Sequence, residues 1–299
     1  MNSEVNIIVS PHKFGLKSDM DRIFLYLMLK SLVKSNPTAN IVFPNPNGYP
    51  IGISGITEFY YDPDDVPEVK RLRDVYRHLS TNDFLFELAC IERFYTIRMI
   101  MKNFNISNAY TIESDCLIFK PINLLHSHNI KNSNECLLTN DSCISTAFVT
   151  LDFLEEYCSE VIGFYTNEKI LSEMIDWHRR YISDGKMGGI CDMTFCSSLK
   201  TGWITNKSST LISNFNDTFS IDGRLFAYDN FLSDEYFAND ERSIFMGKTY
   251  EDDKKFKKFK INNGNMTVNF IDNTEIELCS VHCQGGNKKL MGLIYAEMF

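Results

Sequence analysis

No two cysteines in this sequence are spaced C-x-x-C, and the nine present are scattered and odd in number. That excludes a disulfide framework and points to structural thiols in a reducing compartment. An excess of basic charge is lacking too. The formal net charge is -9 and the isoelectric point is near 5.2, so a nucleic-acid partner held by broad phosphate neutralisation is not expected. The opening stretch, "MNSEVNIIVS", has neither a basic n-region nor a long apolar centre, so no signal peptide is expected. Every apolar run falls short of the roughly 18 residues a membrane span needs. A soluble, cytoplasmic chain is the expectation, with lumenal or peripheral placement left open.

What is present suits a globular enzyme-sized chain. Its 299 residues are 44% hydrophobic and 13% aromatic, enough for a large core in one α/β domain, with or without an appended lobe. Val5 to Ser10 reads as a buried strand, and "SDMDRIFLYLMLKSLVKSN" as a helix capped by Ser18 or Asp19. "NIVFPNPNG" then gives a strand stopped by Pro44 and Pro46. This β-α-β opening predicts a sheet with crossover helices. Residues 48–80 read as an irregular loop region or small lid, and 83–103 as a helix buried on nearly every face. Further on, a strand at "ISTAFVTLD", helices over 151–164 and 167–182, and a short helix at "DMTFCSSLKTG" are expected. A hairpin around Asn263-Gly264, a strand at "EIELCSVHC" and a terminal helix complete the reading.

The chemistry gathers in two places. In "YTIESDCLIF", Glu113 and Asp115 interrupt a strand-like apolar run. Side chains alternate along a strand, so the two acids share a side. They either face water at the strand end or hold a cation that relieves their repulsion, and oxygen ligands of this kind suit Mg²⁺ or Mn²⁺. Arg93, on the preceding buried helix, needs acidic or phosphate partners; a structural salt bridge to Glu87 or Glu92 is the alternative. Near the other end, "HCQGGNK" places His282, Gly285, Gly286 and Lys288 directly after a strand. The histidine is a ligand divalent metals accept, the glycines allow backbone N–H groups to approach an anion, and the lysine adds a point charge. The plain alternative is a Gly-rich turn with a core histidine and a surface lysine.

Three segments in this order resemble one family. "RFYTIRMIMKNFNISNAYTIESD" is similar to the helix and D-x-D strand of nucleotide-sugar glycosyltransferases of the GT-A fold. "HCQGGNK" resembles the H-x-x-G-x-x-K of the glycogenin and galactosyltransferase group, glycosyltransferase family 8, and "GGICDMTF" stands where that group has an acid-containing loop. The resemblance implies an α/β, Rossmann-like mixed sheet flanked by helices, in one catalytic domain over 1–299 with a C-terminal hairpin and helix extension. Residues 1–125 would form the nucleotide-binding half, and 126–299 the acceptor half with the C-terminal metal and diphosphate segment.

It further implies a Mn²⁺ or Mg²⁺ ion held by Asp115 and His282, with Glu113 as a third or water-mediated partner. Arg93, Ser10, Gly285, Gly286 and Lys288 would bind the donor, a nucleoside-diphosphate sugar with UDP favoured. Asp192 would lie beside the sugar or acceptor, as general base for inversion or as a positioning group for retention. The acceptor would be a glycan, a glycolipid or a protein. The sequence departs from the family pattern in having Glu113 for the first acid, no Pro-Trp after Lys288, and only Cys191-Asp192-Met193 in the acidic loop.

Other readings compete. A nucleotidyltransferase or phosphodiesterase would share the acids and the metal, and an inactive nucleotide-sugar-binding protein would share the fold. "DDKKFKKFK" could rest on an anionic membrane or stand as a solvated strand. A Zn²⁺ site of Asp115, Cys116, His282 and Cys283 can be drawn, but in a strand Cys116 points away from Asp115.

Overall fold

The computed structural model of the chain describes residues 5–10, 19–46, 48, 50–122, 124, 136–139, 143–204, 208–213, 218–228, 259–262, 264–269, 275–283 and 291–299. The fold class is α/β, with two mixed sheets and helices against both faces of the larger one.

The larger sheet begins with β1 (Asn6–Ser10), β2 (Asn40–Asn45) and β3 (Ile56–Tyr60), joined by parallel pairing. It continues through β4 (Asn108–Glu113), parallel to β1, and β7 (Cys143–Thr150), antiparallel to β4. β6 (Cys136–Thr139) and β8 (Ile212–Ser213) close the order β3-β2-β1-β4-β7-β6-β8. Alternation along β1 sends Ile7 and Val9 to one core and Ile8 to the other, as a strand covered on both faces requires.

On the first face lies α1 (Asp19–Ser35), with the terminal helix α7 (Met291–Met298). On the second lie α2 (Pro67–Val75), α3 (Phe84–Asn103), α4 (Leu151–Thr166) and α6 (Asp192–Thr201). α5 (Glu168–Ser183) follows α4 and buries Met174 against the same core. Asp83 caps α3 by accepting from the Phe86 N–H at 3.0 Å. The helix is buried over most of its length from Glu87 to Met101 because the sheet and α4 cover it. Phe94 stacks on Tyr157 of α4 at 3.9 Å, and the Tyr95 hydroxyl donates to the Cys158 carbonyl at 2.8 Å.

The smaller sheet has the order β11-β12-β13-β10-β9, built from β9 (Thr218–Ile221), β10 (Arg224–Tyr228), β11 (Phe259–Asn262), β12 (Asn265–Asn269) and β13 (Glu275–His282). The hairpin expected around Gly264 is β11–β12. β5 (Cys116–Ile118) pairs antiparallel with the C-terminal half of β13. The chain therefore leaves one sheet at Glu113 and enters the other at Cys116. The turn between them, Ser114-Asp115, carries the second acid.

Two expectations need correction. Pro44 does not stop β2, which runs on to Asn45 with Pro44 opposite Phe59 of β3. Pairing with β1 reaches only Val42, so the missing proline N–H falls beyond the last β1 partner. Residues 48–80 are not irregular throughout, since they hold β3, a 3₁₀ turn at Pro63–Asp65 and α2. β3 is an edge strand with half-exposed side chains, so it shows no clean alternation in sequence. Of "DDKKFKKFK", residues 252–258 lie outside the described residues, and Phe259 and Lys260 belong to β11. Among the described residues no helix is long and apolar enough to cross a membrane.

Candidate active site

Five ionisable side chains from five places in the chain meet where β4 hands over to β5. Arg93 comes from α3, Glu113 from the end of β4, Asp115 from the turn, Asp192 from the first residue of α6 and His282 from the end of β13. All five are buried, none more than 7% exposed. Charges so placed persist only if they neutralise one another.

Arg93 does much of that. Its Nη1 donates to Glu113 Oε1 and its Nη2 to Asp192 Oδ2, which ties α3 to both β4 and α6. The alternative partners from its own helix are engaged elsewhere. Glu92 takes a bond from Arg73 Nη2 at 3.0 Å, and Glu87 accepts from Ser80 at 2.9 Å and Asn82 at 2.6 Å. Positions one and six residues away on a helix point to other faces, so Arg93 reaches past its neighbours.

His282 completes the cluster. Its Nε2 lies 3.1 Å from Asp115 Oδ1 and 3.2 Å from Glu113 Oε2. Burial on its own disfavours the imidazolium, yet hydrogen bonds to Asp115 and Glu113 and their charges outweigh it and push the pKa up to about 10. The Asp115 carbonyl accepts from the Cys283 N–H at 2.8 Å, which pins the turn to the strand bearing His282.

Cys116 joins this group, against the expectation drawn from strand alternation. The turn at Ser114-Asp115 breaks that alternation. Cys116 stands directly opposite His282 in the β5–β13 register, so both side chains leave one face. One ligand atom each from Asp115, Cys116 and His282 lie within 4.8 Å of one another. Burial, then the charges of Asp115 and Glu113, push the Cys116 thiol well above its usual range. Cys283, the next residue along, packs into the hydrophobic core.

The donor chemistry fits a divalent cation. Two carboxylates converge on one imidazole nitrogen, a sulfur stands beside them, and the imidazolium occupies the position of positive charge.

Beside the cluster, at the carboxyl ends of β1 and β2, is a small recess of about 20 Å³ lined by Ser10, Pro44, Tyr61, Glu92, Arg93 and Thr96. Ser10 is opposite Glu113 in the β1–β4 register. Its Oγ is buried with no hydrogen-bond partner among the described residues. In an open α/β sheet a crevice at the carboxyl ends of the strands is the usual place for a ligand. Gly285, Gly286 and Lys288 lie outside the described residues.

No protein-family model matches the sequence, and no curated protein matches it either. Solved structures with some likeness in fold are glycosyltransferases. Mouse xyloside xylosyltransferase 1 in its apo form is 9% identical, with TM-score 0.47 over 71% of this chain and 85% of that one. The galactosyltransferase LgtC with donor and acceptor sugar analogues is 9% identical, with TM-score 0.42 over 97% and 95%. A glycosyltransferase involved in glycosylating the major capsid of PBCV-1 is 8% identical, with TM-score 0.40 over 97% and 99%. At such identities and scores none of these likenesses assigns a residue or a reaction.

Sequence reasoning missed several residues that the structure brings to the site. Cys116 was discounted because strand alternation was carried across Ser114-Asp115, where the chain turns from β4 into β5. Tyr61 and Pro44 lie in stretches read as loop and strand end, and Thr96 shares a face of α3 with Arg93, three residues away. That last spacing was the one usable signal.

Proposed function

We propose that this chain is a metal-dependent glycosyltransferase of the GT-A type, moving a sugar from a nucleoside diphosphate to a carbohydrate, lipid-linked or protein acceptor. The observation that carries the reading is the convergence of Glu113, Asp115 and His282 beside a recess lined by Ser10 and Arg93. Asp115 and His282 would hold Mn²⁺ or Mg²⁺, with Glu113 as a third partner through Oε2. The ion, when bound, supplies positive charge where the leaving diphosphate builds up negative charge.

The chain's own residues then have distinct tasks. Ser10 offers a hydroxyl to the nucleoside at the end of β1. Arg93, with its two terminal nitrogens on Glu113 and Asp192, fixes the directions of both carboxylates. Asp192 is held through Oδ2, which suits it to orienting a sugar hydroxyl in a retaining transfer. Gly285, Gly286 and Lys288 would close on the diphosphate.

The test is thermal stabilisation by UDP or GDP with and without Mn²⁺, followed by hydrolysis of the matching donor. Stabilisation that needs the metal, with release of a nucleoside diphosphate, is expected. Asp115→Asn and His282→Ala should each remove the metal-stimulated hydrolysis. No stabilisation by either diphosphate with Mn²⁺ sinks the reading, and release of pyrophosphate or monophosphate would instead mean nucleotidyl transfer or phosphodiester cleavage.

A further inference from the structure

Away from this cluster, one face of α5 presents Glu173, Asp176, Trp177 and Arg180, spaced as i, i+3, i+4 and i+7. Trp203, just past the end of α6, packs against Trp177, and together they line a groove of about 290 Å³ with buried Met174 beneath. We propose that this groove binds carbohydrate.

The aromatic surface is the first argument. The Trp177 and Trp203 rings stand 5.6 Å apart at 45°, a half-open pair, and Tyr181 stacks on Trp177 at 4.7 Å. Trp203 is 41% exposed, although tryptophan buries more apolar area than any other side chain and is usually well covered. The chain has only two tryptophans, and both line this groove.

The charges around the rings select the ligand. Glu173 and Arg180 make no ion pair among the described residues, and Asp176 pairs with Arg179 at the rim at 3.2 Å. A purely apolar ligand would strip water from three charged groups and give nothing back. An anion, including a nucleic-acid phosphate, meets two carboxylates. A cation is drawn to the acids and the indoles but repelled by Arg180. A neutral polyhydroxy ring suits all of it, since its C–H face packs on indole while its hydroxyls donate to Glu173 and Asp176 and accept from Arg180. At about 290 Å³ the groove lies close to the lower end of the ~300–1,000 Å³ of small-molecule sites, room for a small saccharide.

The groove also has a place in the proposed reaction. α6 starts at Asp192 and Trp203 lies two residues past its end, so at 1.5 Å per residue the two are about 15 Å apart along the helix. On the transferase reading, an acceptor long enough to span that distance would reach the groove from Asp192, as a distal acceptor subsite. Binding of saccharide to the groove does not rest on that reading.

Because both tryptophans sit in the groove, their emission, excited selectively over that of the 14 tyrosines, reports on it. The experiment titrates the protein, without nucleotide or metal, with neutral tri- to pentasaccharides of glucose, galactose, xylose and N-acetylglucosamine, and separately with tetramethylammonium. A saturable spectral change with at least one saccharide is expected, weakened about tenfold or more in Glu173→Gln and lost in Trp203→Ala, with Trp177 as the remaining reporter. No change with any saccharide overturns the proposal, and so does tighter binding of tetramethylammonium. A Glu173→Gln variant that binds as the wild type overturns the role given to the carboxylate. Failure of UDP and Mn²⁺ to stabilise the protein would remove the transferase reading and leave this result standing.

Discussion

Cys116 and His282 are direct partners across the β5–β13 ladder, so a sulfur and an imidazole leave the same face beside Asp115. A site of oxygen donors alone favours Mg²⁺ or Mn²⁺, whereas nitrogen and sulfur shift preference toward softer ions. The metal-free, reduced protein should therefore bind Zn²⁺ more tightly than Mn²⁺ by calorimetry. Cys116→Ser should narrow that gap about tenfold, or ~1.4 kcal/mol. An unchanged ratio would show that the sulfur stands near the ion without ligating it.

Among the described residues Arg93 is the one guanidinium that Glu113 and Asp192 share, and all three side chains are buried. Arg93→Met leaves two buried carboxylates without it, and breaking a buried pair in this way costs about 3–5 kcal/mol. Denaturant unfolding should show that loss. Adding Glu113→Gln and Asp192→Asn to Arg93→Met should recover a large part of it, because the repelling charges go with their partner. If the triple variant is no more stable than Arg93→Met, the cost comes from lost packing of the long side chain and not from stranded charge.

Much of this was legible in the sequence, for reasons that can be named. α3 showed itself because apolar residues recur on nearly every face between Asp83 and Asn103, as a helix buried all round requires. Asp115 and His282 were readable because acids and a histidine inside apolar strands demand partners. The identity of the partners was not readable. Arg93 sits 99 residues from Asp192, and nothing local in either segment points to the other. Cys116 was misread because alternation holds only inside an unbroken strand. The aromatic groove went unseen because Trp177 and Trp203 stand on different elements, and they come together only once α6 is packed.

Two glycines should respond in opposite ways to the same substitution. At Gly189 an added Cβ would lie 2.2 Å from the Leu79 carbonyl oxygen and 2.7 Å from Ser80 Cα, both backbone atoms that cannot swing aside. Gly189→Ala must therefore part the Ser80–Gly189 bridge and strain the neighbouring Ile190 N–H bond to Leu79, now 2.7 Å. The overpacking should cost about 1–3 kcal/mol. Because Asp192 follows three residues later, the strain reaches the end of α6, and donor turnover should fall together with stability. Gly163 lies inside α4 with nothing within 4 Å of an added Cβ. Gly163→Ala should stabilise the fold by roughly 0.5–1 kcal/mol through helix propensity and leave turnover unchanged. Denaturant melts of both variants decide the matter. A Gly189→Ala protein as stable as the wild type would mean that the loop carrying Asp192 is not clamped to the segment before α3.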